Sequence, residues 1–228
     1  MNGQGREIVM EFQETVDRIG EKISLQERDV GEYASIKLKG MKVLVKSYSL
    51  ADWGTLTIME SKGMAGAMKR DSVVIDSMKK DVPIFLCQYV SALGKRVLQL
   101  DILDIMTDKT AGSYFAQLPV AAQADPGLKE QPMPREWYTE RQMPGSCAKT
   151  GSAAALKDLM NRMILSYIDG ARQARLCGFT ETRARRVQRL LAELFNYGGF
   201  AYDAFRVCMK QEKTEDFYTR ILFGAEKE

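Results

Sequence analysis

No histidine occurs anywhere in the 228 residues of the chain. That absence removes the usual zinc ligand, the usual axial ligand of haem, the Ser-His-Asp triads and the commonest acid-base group at neutral pH. Any chemistry falls to Asp, Glu, Lys, Tyr, Cys, bound water or a borrowed cofactor. Long hydrophobic runs are missing as well. There is no stretch of about 18 apolar residues, and the opening MNGQGREIVMEFQ takes on charge before any apolar block, so neither a membrane span nor a signal peptide is expected and the expected location is cytoplasmic. Cysteine is sparse: Cys87, Cys147, Cys177 and Cys208 are far apart with no Cys-x-x-Cys pair, and free thiols are expected. A charge surplus is also lacking. The 33 basic and 30 acidic residues leave a net +3, far short of a surface built to grip nucleic acid.

What is present is ordinary globular composition, 45% hydrophobic and 28% charged, on a chain long enough to bury a sizeable core as one domain over residues 1–228. Ile8, Val9, Phe12, Val16, Ile19 and Ile23 recur at steps of three and four, which predicts an amphipathic helix over residues 5–26. From residue 33 to 104 the period shortens. SIKLKG, MKVLVKSYS, GTLTIMES, DSVVIDS, VPIFLCQYV and RVLQLDI are short β-branched runs broken by Gly and turn residues, an antiparallel meander. Residues 105–150 hold five of the six prolines and lose periodicity, as expected of a long connection crossing the sheet. Residues 152–224 return to a helical stripe: Leu156, Leu159, Met160, Met163, Ile164 and Tyr167, then Val187, Leu190, Leu191 and Leu194, then Phe217, Ile221 and Leu222. One helix, then strands, then helices gives an α+β fold, a three-layer α/β/α sandwich with a central antiparallel sheet.

The run KKDVPIFLCQYVSALGKRVLQLDILD sharpens this into a site. With Leu93 and Gly94 at the turn, Gln88 faces Gln99, Leu86 faces Asp101, and Val90 faces Val97. One face then carries Gln88, Gln99 and Asp101, while Phe85, Cys87, Tyr89, Leu98, Leu100 and Ile102 share the other. A watered outer face explains such polar residues, and so does a pocket wall under a helical cover.

At this hairpin the sequence resembles the ferredoxin-dependent bilin reductases, relatives of red chlorophyll catabolite reductase. The blocks that carry the resemblance are DVPIFLCQYV, GKRVLQLDILDIM, PREWYTERQMPGSCAK and EDFYTRILFG, in that order, over roughly residues 42–224. The resemblance implies an α/β/α sandwich that takes an open-chain tetrapyrrole between the sheet and the C-terminal helices. It further implies no bound metal or flavin, and an external ferredoxin-type donor supplying electrons one at a time while the protein supplies protons. The implied activity is reduction of a bilin-like tetrapyrrole, an oxidoreductase function. The other reading is a carrier or sensor of a tetrapyrrole or another flat ligand on the same fold, without proton-donor chemistry.

The departures from that family set the candidate residues. Gln88 stands where these enzymes have a catalytic Asp, and a gapless count back from DVPIF sets their frequent His at Asp71; the chlorophyll-catabolite branch also works without that pair. Asp71 and Asp101 are therefore the candidate acids, with Asp101 equally suited to capping the end of the sheet. Gln88, Gln99 and Leu86 are the candidate wall. Arg183 and Arg186, in the basic stretch ETRARRVQR, are candidates for holding propionates or docking ferredoxin, and equally for a solvated helix face. Cys147 has Lys149 nearby but no general base, which argues against a nucleophile. Tyr197-Gly198-Gly199-Phe200 reads as a helix-ending turn or as a place free of Cβ where a ring passes.

Overall fold

The computed structural model describes residues 12–38, 40–51, 53–63, 68–123, 125–134 and 136–225. The first helix, α1, runs Phe12–Gly20 and buries Phe12, Val16 and Ile19 on one stripe. The expected helix over 5–26 is thus shorter at its C-terminal end. Residues past Gly20 turn, and Leu25–Arg28 becomes a strand, β1, paired with the far end of the third strand through Leu25↔Leu50. Residues 5–11 lie outside the described residues.

The meander forms as its periods require. It comprises β2 (Ser35–Leu38), β3 (Met41–Leu50), β4 (Gly54–Gly63), β5 (Met68–Asp76), β6 (Ile84–Ala92) and β7 (Lys95–Leu103), each antiparallel to its neighbour in the ladder. The β6–β7 turn places Leu93 (φ 50°) and Gly94 (φ 76°) in left-handed conformation, as two-residue hairpins prefer. This turn fixes the expected register: Leu86↔Asp101, Gln88↔Gln99 and Val90↔Val97. The proline-rich connection does more than cross the sheet. After a 3₁₀ segment (Lys109–Phe115) and the short α2 (Leu118–Ala121), it returns as β8 (Lys129–Gln131) and β9 (Cys147–Thr150). The latter pairs with β7, which completes the order β1-β3-β4-β5-β6-β7-β9-β8, with β2 also on β3.

Two apolar layers clasp this sheet. On one face α1 and α3 (Ala153–Gln173) pack Leu156, Met160, Ile164 and Tyr167 onto Phe85, Cys87, Leu98 and Leu100. Ser152 caps α3 by accepting from Ala155 N, and Tyr167 Oη donates to Pro83 O at 2.7 Å. At Gly170 the 3₁₀ segment comes so close that a Cβ would lie 2.5 Å from Tyr114 O, so only glycine fits. On the other face lie α4 (Thr180–Tyr197), α5 (Tyr202–Met209), α6 (Gln211–Asp216) and a π-helical turn (Phe217–Leu222). Their Val187, Leu190, Leu194, Phe205, Phe217 and Tyr218 cover Val45, Met59, Val74, Leu86 and Leu103. The C-terminal helices thus divide between the faces, α3 on one and α4 onward on the other.

Candidate functional site

Strand alternation decides which side chains can meet. The row Val45↔Met59↔Ser72↔Gln88↔Gln99 crosses five strands on the face covered by α4, α5 and the π turn. Asp101 stands one row further along the same face, opposite Leu86. Gln88 and Gln99 are partly buried and Asp101 is fully buried. The polar face is therefore under cover, and it is not a watered exterior.

Its hydrogen bonds are specific. Asp101 accepts from Gln99 Nε2 at 2.9 Å on one oxygen and from Gln142 Nε2 at 2.6 Å on the other. Burial pushes its carboxyl above the usual range, against the pull of the two amides. Gln88 Oε1 accepts from Arg70 Nη2 at 2.6 Å. Tyr138 lies beside this group, and its phenol is raised by burial and by the neighbouring Asp101. The Tyr138 ring stacks on Phe200 with centroids 4.4 Å apart. Tyr218, from the π turn, donates to Phe200 O at 2.5 Å. Between these rings and the sheet the chain closes to a void of about 10 Å³ walled by Met59, Ser72, Leu86, Gln88, Phe200 and Tyr218. That is room for about one water, so a larger ligand enters only if the aromatic cover moves.

Several expected site residues belong elsewhere. Asp71 pairs with Tyr89, and Ser72 is the residue opposite Gln88. Asp71 consequently shares the alternation of Val73 and Tyr89, on the α1/α3 side of the sheet. There Ser61 N donates to its Oδ1 at 3.1 Å and Lys69 Nζ lies 2.8 Å from its Oδ2. Burial still raises its carboxyl to about 6. Asp71 is thus on the face away from Gln88, because neighbouring residues of a strand point to opposite faces and Ser72, one residue on, is the one opposite Gln88.

Arg183 is corrected too. It is completely buried, with Nη2 2.9 Å from Asp76 Oδ1, Nη1 donating to Val82 O at 2.8 Å, and Nε bonded to Ser77 O. All its groups are committed to the β5–β6 connection, which leaves nothing for a propionate. Its position four residues before Val187, on the apolar stripe of α4, was a sequence sign of this burial. Arg186 is exposed and bonds Met106 O, tying α4 to the segment after β7. The Gly198–Gly199 break does let a ring pass, and the ring is the chain's own: Trp137 Nε1 donates to Gly198 O at 2.9 Å. Cys147 is a buried thiol raised to about 11, unsuited to attack.

The residues that sequence reading missed are Arg70, Ser72, Gln142, Tyr138 and Tyr218. Arg70 and Ser72 flank Asp71 in KRDSVV, so the correct parity alone would have found them. Gln142 and Tyr138 come from the irregular connection, which carries no periodic signal.

This helix-clasped antiparallel sheet matches the fold of a solved bilin reductase, the class resembled in the sequence. One such solved structure is that of phytochromobilin synthase from tomato in complex with biliverdin. The TM-score is 0.67 and the identity 11%, over 94% of this chain and 83% of that chain. No protein-family model matches the sequence, and no curated protein matches it. At this identity the likeness shows the fold. Among the described residues no helix is long and apolar enough to cross a membrane.

Proposed function

We propose that the chain binds an open-chain tetrapyrrole of the bilin kind between the Ser72–Gln88–Gln99 row and the C-terminal helices, and reduces it with electrons from a ferredoxin-type donor. The observation that carries this reading is Asp101: a fully buried carboxyl, raised by desolvation, held by two amides on the wall that faces those helices. Reduction of one double bond takes two electrons and two protons. A carboxyl biased toward its neutral form is suited to give one of those protons, and Gln99 and Gln142 hold its oxygens in place as it does so. Water or the Tyr138 phenol completes the second transfer. The fold match to a protein crystallised with biliverdin supports the ligand class. A cytoplasmic location fits a soluble electron donor.

One observation favours a second reading, a carrier or sensor. Ser72 and Gln88 face each other at the centre of the row and neither side chain is an acid, so the central row itself holds no proton donor.

Titration with biliverdin, followed by absorbance, tests the binding step: the expected result is a shifted and saturable spectrum. Reduced ferredoxin is then supplied without oxygen. Asp101→Asn is expected to keep the bound spectrum while slowing turnover by about 10²–10⁴-fold. Binding without turnover in the wild type would select the carrier, and an unchanged spectrum would end the bilin reading, as reductase and as carrier alike.

A further inference from the structure

We propose that Arg70 is the counter-ion for an acid group of the ligand, so that the pocket selects carboxylate-bearing tetrapyrroles by an ion pair on the inner face of β5. This inference rests on the reading of the site as a bilin pocket, and it concerns a residue on a strand away from the arginine-rich helix.

Arg70 shares its sheet face with Ser72 and Gln88, and the Tyr138 and Tyr218 phenols lie near it. One guanidinium nitrogen reaches Gln88, and Nε is buried with no acceptor. Three other cations of the described residues are matched. Lys69 lies against Asp71 on the opposite face, Arg183 against Asp76 and Asp81, and Lys149 against Glu130. Arg70 has no carboxylate within ion-pairing distance among the described residues. Asp101, the nearest acid of this face by register, has both oxygens taken by amides.

A guanidinium does not escape this situation by losing its proton, because it stays charged at any ordinary pH. A half-buried cation whose Nε–H is shut off from water without an acceptor, and whose one side-chain partner is a neutral amide, is a costly arrangement that an acceptor from outside the chain would complete. The Nε–H and Nη–H of one guanidinium edge match the two oxygens of a carboxylate. A carboxylate arriving there supplies the missing charge and fills the vacant Nε acceptor. It also releases Gln88 Oε1 to accept from a pyrrole or lactam N–H. The acid specificity and the amide wall then act as one device, with Arg70 as the switch between the free and bound pairings.

The experiment compares biliverdin with its dimethyl ester, by absorbance titration, on the wild type and on Arg70→Met and Arg70→Lys. The wild type is expected to prefer the diacid by about tenfold to a hundredfold. Arg70→Met is expected to lose that preference while still binding the ester, and Arg70→Lys to recover part of it. A second readout needs no ligand: Arg70→Met, which removes an uncompensated charge, should unfold at the same or a higher urea concentration than the wild type. Equal binding of acid and ester by the wild type overturns the inference and leaves the bilin reading intact. Retention of the preference in Arg70→Met, or a marked loss of stability in it, overturns the inference as well, the latter by showing Arg70 to be a structural residue. Binding of neither compound by the wild type overturns the pocket reading and this inference with it.

Discussion

Buried ionisable residues in this chain divide by what they face. Arg183 is enclosed by Asp76, Asp81 and two backbone carbonyls, and acts as the rivet of the β5–β6 connection. Asp71 is enclosed on the other side of the sheet, where burial outweighs its ion pair with Lys69 and raises its carboxyl from 3.8 to about 6. The folded state therefore holds this proton more tightly than the unfolded chain does. Asp71 contributes stability that is complete below about pH 4 and is lost as the pH rises through about 6, on the order of 3 kcal/mol. Asp76, also raised to about 6, acts in the same direction. Asp71→Asn should therefore flatten part of the fall in stability between pH 4 and pH 7 and leave the share of Asp76. Urea unfolding at both pH values checks this, and parallel profiles for variant and wild type would show that Asp71 does not titrate in that window.

At the scale of the element, the turn between α4 and α5 is the most constrained feature near the pocket. Gly198, Gly199, Phe200 and Ala201 all have positive φ, and this run aims the Phe200 ring at Tyr138. Gly198 (φ 77°, ψ −164°) sits in a region open to glycine alone, and a Cβ there would lie 2.3 Å from Asp203 Oδ2. Ala201 (φ 66°, ψ 6°) is a left-handed residue with a Cβ, and it starts α5. The two positions therefore predict opposite signs. Gly198→Ala should cost about 2 kcal/mol or more, while Ala201→Gly should leave stability unchanged or raise it by up to about 1 kcal/mol. Urea midpoints measure both. Because this turn carries the cover over the void, a Gly198→Ala protein that folds should also bind biliverdin with altered affinity.

The whole molecule is organised around one sheet that both helical layers share. Its strands contribute alternate side chains to the α1/α3 core and to the α4–π core, so neither layer keeps a complete core without the other. The two tryptophans report the layers separately: Trp53 belongs to the first core, and Trp137 packs against the second. Variants Trp53→Phe and Trp137→Phe each leave one reporter. Their fluorescence unfolding curves should coincide in urea midpoint, as for a single cooperative domain. Separated midpoints would show that the layers melt independently and that residues 1–228 do not act as one unit.

The sequence by itself determined the local features. Strand period and the Leu93–Gly94 turn set the β6–β7 register and put Gln88, Gln99 and Asp101 on one face. Helical spacing marked the stripes of α3 and α4, because period and turn chemistry act over a few residues. The N-terminal helix was legible in type but not in its end, where pairing with β3 won Leu25 for a strand. Only the tertiary structure decided the rest. The pairing of β5 with β6 sent Asp71 to the far face and brought Arg70 and Ser72 to the site. Packing drew Arg183 into the interior. The aperiodic connection delivered Gln142 and Tyr138 to Asp101 from about 40 residues away, through contacts that carry no local signature. Alternation along a strand is a property of the chain; which face looks inward on a ligand depends on what packs above it.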